Sequence, residues 1–167
     1  MIYVIMYLVA IVLANITVTL FGPQIAVMNA FLFIGLDLTA RDRLHDRWHG
    51  KNLLLKMSLL IAGGSVISYL LNRNTGPVAL ASFLAFASAA TVDTIVYHKL
   101  GNYPKWLRVN GSNVPSAAVD SFVFPVLAFG FPLLWDIILD QFAAKVLGGF
   151  CWSFLLPRTQ AEILSEK

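Results

Sequence analysis

Charge is what this chain has least of. Only 13% of its 167 residues are Asp, Glu, Lys or Arg, against 58% that are hydrophobic. A soluble domain carries about a quarter charged residues, so a water-soluble globular protein is excluded, and a mean hydropathy of +0.74 points the same way. Cysteine is nearly absent: Cys151 stands alone in an apolar run and can form no internal disulfide. No glycine-rich phosphate loop, Ser/His/Asp arrangement or zinc-protease motif occurs, so the sequence offers nothing to an NTPase or a hydrolase. Histidine is equally scarce, with three in the chain. His45 and His49 are four apart, with Asp46 nearby, and could face one metal from a helix, but no third and fourth ligands stand out and a charged cytoplasmic loop explains the residues. Neither metal nor cofactor is expected. The basic balance, +3 net with pI about 9.2, comes from residues between apolar runs, the pattern that orients membrane proteins; nucleic acid is not an expected partner.

What is present is a series of apolar runs. A hydrocarbon core about 30 Å thick needs roughly 20 apolar residues per helix, and six such runs fit the chain: residues 2–20, 25–39, 53–71, 78–97, 114–134 and 137–156. The expectation is an all-α integral membrane protein with six transmembrane helices in one domain, residues 1–167. The first run lacks a basic leader and reads as a retained helix rather than a signal peptide. Phe21-Gly22-Pro23-Gln24 and Asn72-Arg73-Asn74-Thr75-Gly76-Pro77 read as tight turns. Ten basic residues fall on one side: Arg41, Arg43, Arg47, Lys51, Lys56, Lys99, Lys105, Arg108, Arg158 and Lys167. Arg73 stands alone opposite, which places both termini in the cytoplasm. Small residues at Gly63-Gly64 and at Ala81, Ala85 and Ala89 permit close helix approach.

The few charges inside these runs carry the functional reading. A carboxylate at membrane depth costs several kcal/mol unless it meets a partner, a ligand or water. Val109 to Phe124 reads as a polar loop passing into an apolar helix, with Ser112 or Asn113 as cap, Pro115 in the first turn, and Asp120 about 9 Å further in. Asn113, Ser116, Asp120 and Phe124 recur at helical spacing and make one polar face. Lys145 enters the last run from the opposite side and can reach Asp120 on an antiparallel neighbour. Asp37 and Asp93 lie in the same cytoplasmic third, so three carboxylates could ring one polar cavity. Each also has a plainer role: Asp37 is four residues before Arg41, a helix-surface pairing distance, and Asp93 can pair at the interface with Lys99 or Arg108. Asn15 and Asn29 suit bridging between helices. Trp48, Trp106 and Trp135 fit interfacial belts, whereas Trp152 is deeper and could stack on a planar ligand.

Together LANITVTLFG, FLFIGLDLTARDRLHDRW, ASFLAFASAATVDTIVYHKL, GSNVPSAAVDSFVFPVLAFG and DQFAAKVLGGFCWSFLLP resemble the queuosine precursor transporter family, also called the vitamin-uptake-transporter-like family. Asp37, Asp93, Asp120 with Ser121, Lys145 and Asn15 match its pattern. The chain departs from that pattern in being short and in carrying RDRLHDRWHGK after the second run. The resemblance implies a bacterial inner-membrane importer of 7-cyano-7-deazaguanine or its aminomethyl relative. It also implies a fold similar to the substrate-binding subunit of energy-coupling-factor transporters. In that reading Asp120 accepts the N–H edge of a purine-like base, Ser121, Asn113 and Asn15 add hydrogen bonds, Lys145 holds Asp120 ionised or meets the carbonyl, and Phe124 or Trp152 stacks. A separate ATPase module is a possible energising partner, expected to dock on the cytoplasmic face and on stripes such as Ala81-Ala85-Ala89. Another vitamin-like solute on the same fold is the alternative; a small membrane enzyme working at Asp93 and Asp120 is a more distant one.

Overall fold

The computed structural model of the chain describes residues 2–34, 36, 44 and 53–155. Every regular element among them is helical. Helix α1 spans Ile2–Phe21 and α2 spans Ile25–Asn29, which passes directly into a π-helical segment, Ala30–Ile34. Helix α3 spans Leu53–Leu71, a 3₁₀ turn at Arg73–Thr75 follows, and α4 spans Gly76–Lys99. Helices α5, Lys105–Phe129, and α6, Trp135–Leu155, complete the bundle.

Local chemistry accounts for the ends. The Asn72 side chain accepts from the Asn74 N–H at 3.1 Å, which caps the 3₁₀ turn, and Pro77 sits in the first turn of α4, where its missing donor costs nothing. His98 and Lys99 in the last turn of α4 and Asp136 in the first turn of α6 complement the helix dipoles. Gly130, with φ 74° and ψ −146°, closes α5 in a conformation that a side chain would strain, and a cis Phe131–Pro132 peptide follows.

Helices α4 and α5 form the most extensive pairing, as an antiparallel hairpin; α1 packs on α3, α3 on α4, and α6 on α5, α2 and the π segment. One apolar core joins Tyr7 and Ile11 to Met57, Ile61 and Phe86. Leu44 joins it at 2% exposure, so the charged segment after the second run sends at least one side chain into the bundle. The outside is apolar as well: Ile5, Val9, Leu13, Leu59, Leu70, Leu84, Leu139, Leu147 and Phe150 are exposed, while Asn15, Asn29, Ser68, Ser116, Asp120, Gln141 and Lys145 are buried. Polar inside and apolar outside inverts the soluble pattern and suits a surrounding of lipid. Among the described residues three segments are long and apolar enough to cross a membrane, Ile2–Phe21, Arg73–Lys99 and Gly111–Phe129, with shorter apolar helices at Ile25–Ile34 and Leu55–Leu71. Helix α6, with Asp136, Asp140 and Lys145, is not among them.

The sequence reading needs correction in three places. The polar stretch from Val109 is not a loop: α5 is continuous from Lys105, its N-cap is Pro104, and Ser112 and Asn113 lie within it rather than capping it. Pro115 and Pro125 are both interior, and each removes only one backbone donor from a helix otherwise held by its neighbours. The helix also stops at Phe129, before the expected Leu134. Second, the Ala81-Ala85-Ala89 stripe is no docking surface, because all three residues are buried within the bundle, at 2%, 0% and 4% exposure. Third, the second run is not one regular helix, since α2 gives way to π geometry at Ala30. Asp37, His45 and His49 lie outside the described residues.

Candidate functional site

Residues on the inner face of α5 recur every fourth position. Ser112, Ser116 and Asp120 are 2%, 1% and 8% exposed, and Phe124 continues the row. The Ser116 hydroxyl donates to the Asn113 carbonyl at 3.1 Å, so that serine is spent on its own helix. From α6, Gln141 and Lys145 stand one turn apart and are 1% and 2% exposed. The Lys145 Nζ lies 2.7 Å from Asp120 Oδ2 and donates to Gln141 Oε1 at 3.3 Å. At 1.5 Å per residue Asp120 lies about 22 Å from Lys105 and about 14 Å from Phe129, and Lys145 about 15 Å from each end of α6. The ion pair is therefore a mid-helix feature, deeper than the 9 Å that a helix starting at Val114 would give.

Two buried amides complete the polar interior. The Asn15 Nδ2 donates to Ser68 Oγ at 3.2 Å, and Ser68 in turn donates to the Gly64 carbonyl at 2.8 Å. The Asn29 Nδ2 donates to the Ala14 carbonyl at 3.2 Å and to Thr17 Oγ1 at 2.8 Å. These bonds tie α1 to α3 and α2 to α1.

Between these groups lies a cavity with about 360 Å³ of empty volume, its open mouth included. Ala14, Asn15 and Val18 of α1 form one wall, with Ala26 and Asn29 of α2 and Ile34 of the π segment beside it. Ser82 and Phe86 of α4, Asp120 and Phe124 of α5, and Gln141 and Lys145 of α6 close the rest. Six helical segments thus converge on a space with aromatic faces, three amides and one ion pair.

Of the residues singled out from sequence, Asn15, Asn29, Asp120, Phe124 and Lys145 line this cavity. Ser121, Asp93, Asn113 and Trp152 do not. Ser121 is fully buried beside Asp120 but off the wall, and its Oγ has no hydrogen-bond partner among the described residues. Asp93 is half-buried on α4, with Oδ1 unpartnered among the described residues, and it does not share the cavity; the ring of three carboxylates is not formed there. Asn113 points off the row that carries Ser112 and Ser116, and the half-buried Trp152 is likewise off the wall. Gln141 was not foreseen, although it sits four residues before Lys145, the spacing at which an amide meets a helical lysine.

No group of three or more possible metal ligands occurs among the described residues. A family model described as "Putative vitamin uptake transporter" matches residues 1–156. No curated protein and no solved structure matches the chain.

Proposed function

Because the chain belongs to this family of vitamin uptake transporters, it is a membrane protein with a transport role for a small molecule, and we propose that the molecule is a 7-deazaguanine, foremost 7-cyano-7-deazaguanine. The protein is a single domain of six membrane-crossing helices in a bacterial inner membrane, with both termini cytoplasmic. Its fold is that of the substrate-binding subunits of energy-coupling-factor transporters, and it performs no catalysis. The observation that carries this reading is a carboxylate, Asp120, held at mid-helix depth on the wall of a cavity that also carries Phe124 and three side-chain amides.

A deazaguanine presents ring and exocyclic N–H groups on one edge, a carbonyl beside them and a flat apolar face. An ionised carboxylate offers about four lone-pair sites, so Asp120 can accept from that edge while Oδ2 keeps its contact with Lys145. The Lys145 ammonium has further N–H donors for the carbonyl, and Phe124 supplies the stacking face. Asn15 lies on the wall itself and Ser121 stands beside Asp120; Asn113, Asp93, Asp37 and Trp152 bind at another stage of transport. The energy comes from a separate ATPase module, from proton coupling through an aspartate, or from metabolic trapping of the imported base. The family description also favours a second reading, in which a different vitamin-like solute occupies the same cavity.

The test is uptake of 7-cyano-7-deazaguanine, read as restored queuosine in tRNA, in cells unable to make or import the precursor. Wild type should restore it. Asp120→Ala at equal membrane expression should lower initial uptake about 100-fold, the equivalent of two hydrogen bonds to a charged acceptor. Equal uptake by the two proteins would remove Asp120 from the site, and failure of a correctly inserted wild type would transfer the assignment to another solute.

A further inference from the structure

Asp120 and Lys145 are the only charged groups on the cavity wall among the described residues, and at 2.7 Å they neutralise each other. An entering carboxylate or ammonium would therefore be stripped of water without meeting an excess of opposite charge. Two of the three wall amides, Gln141 and Asn29, carry a second constraint. Lysine has donors only, so the Gln141 oxygen must face Lys145, which leaves Nε2 turned elsewhere. That nitrogen is buried with no partner among the described residues. At Asn29 the reasoning runs the other way. Its amide faces the Ala14 carbonyl, an acceptor, and Thr17 Oγ1, whose own proton goes to the Leu13 carbonyl at 2.7 Å. The Asn29 nitrogen must point there, and Oδ1 is left buried and unpartnered among the described residues.

A buried donor or acceptor without a partner costs free energy that a matching ligand returns. We infer that the cavity takes an uncharged molecule with a lactam or carboxamide group, its carbonyl shared by Lys145 and Gln141 Nε2 and an N–H outside the edge that Asp120 takes read by Asn29 Oδ1. This deepens the transport reading and rests on it. Within the 7-deazaguanines it selects the neutral 7-cyano compound over the 7-aminomethyl compound, an ammonium at neutral pH, and over the 7-carboxy compound, an anion. Gln141 is the residue that sets this choice.

The experiment is binding of these three compounds to the detergent-purified protein, by calorimetry, for wild type, Gln141→Glu and Gln141→Met. Wild type should bind the 7-cyano compound about 100-fold more tightly than either charged one, the scale on which an unpaired buried charge is rejected. Gln141→Glu preserves an oxygen for Lys145 but replaces the N–H₂ donor and adds negative charge. It should weaken the 7-cyano compound at least about tenfold and bring the 7-aminomethyl compound to equal or tighter binding. Gln141→Met should lose the 7-cyano compound without gaining the cation. If Gln141 merely propped Lys145, Gln141→Glu would bind as wild type does, and that result overturns the inference, as does preference for either charged compound. If none of the three binds, the deazaguanine reading fails by itself, and the charge rule is then read on nicotinamide against nicotinate and on riboflavin against thiamine. Binding of the neutral members alone upholds it; binding of a charged member, or of none, overturns it.

Discussion

Lys145→Met alone should lower stability in detergent by about 3–5 kcal/mol, while Asp120→Asn combined with Lys145→Met should recover most of that loss. The asymmetry follows from what each change leaves behind. The pair is 2.7 Å apart, with side chains 3% and 12% exposed, so neither charge has water to fall back on. Removing the lysine strands a carboxylate in the middle of α5, and removing both charges leaves two uncharged side chains of nearly the same volume. Asp120→Asn alone should cost less than Lys145→Met, because Lys145 keeps the Gln141 oxygen at 3.3 Å. Denaturant or thermal unfolding of the four proteins of the cycle measures the coupling directly. Additive losses would mean that the two residues do not act as a pair. The same double variant separates stability from function: folded, it should still fail to take up substrate, since the charged two-oxygen acceptor for the N–H edge is replaced by an amide with one acceptor oxygen and a donor.

Gly148→Ala should be the most damaging single methyl in the bundle. A Cβ at this position would lie 2.3 Å from the Phe31 carbonyl oxygen and 3.0 Å from the Phe31 carbonyl carbon and Cα. These are backbone atoms of the π segment, so no rotamer change relieves the collision, and α6 must move away from it. The cost should reach or exceed the about 1–3 kcal/mol usual for overpacking. Ile34 and Asn29, on either side of Phe31, would be carried off the cavity wall, and substrate affinity should fall together with stability. Two other glycines calibrate the effect. At Gly64 the new methyl meets Ile11 Cγ2 at 2.9 Å and Cβ at 3.3 Å, a stiff β-branched side chain in the core but not backbone, so about 1–3 kcal/mol is expected. At Gly63 it meets nothing within 4 Å, and Gly63→Ala should stabilise slightly through helix propensity, by about 0.5 kcal/mol. Melting temperatures of the three variants test this order, and a Gly148→Ala protein as stable as wild type would mean that α6 and the π segment are not so close.

Asp120 and Lys145 were legible in the sequence because charges are rare inside apolar runs and each lies too far from a run's end to reach water easily. The beginning of α5 was not. Gly111-Ser112-Asn113 before Pro115 has the composition of a helix entry, and only tertiary contact shows that α4 holds the preceding turns helical against that local preference. The earlier start leaves the angular order of Asn113, Ser116, Asp120 and Phe124 as it was. What it adds is Ser112, now inside the helix and buried, whereas Asn113 is half-buried. Gln141 carries no such signal, because an uncharged amide stands out far less in an apolar run than a charge does, and its meaning appears only once Lys145 is seen to use one end of the amide and leave the other. Asp93 shows the limit of depth as a guide, since equal depth on two helices does not place two carboxylates on one cavity. The π geometry at Ala30 left no signal that helical periodicity could register, because one extra residue per turn is decided by the fit of Phe31 against Gly148.

The Asp120–Lys145 pair also has an electrical consequence. A transmembrane potential acts on net charge, at about 2.3 kcal/mol per elementary charge per 100 mV. Two opposite charges 2.7 Å apart present almost none to it. Whether such a site faces one side of the membrane or the other is then nearly independent of voltage, and an uncharged passenger adds no charge to the movement. The cavity can be filled and emptied in a fully energised cell without working with or against the field, and imposing or collapsing a potential across proteoliposomes should leave exchange of an uncharged substrate unchanged.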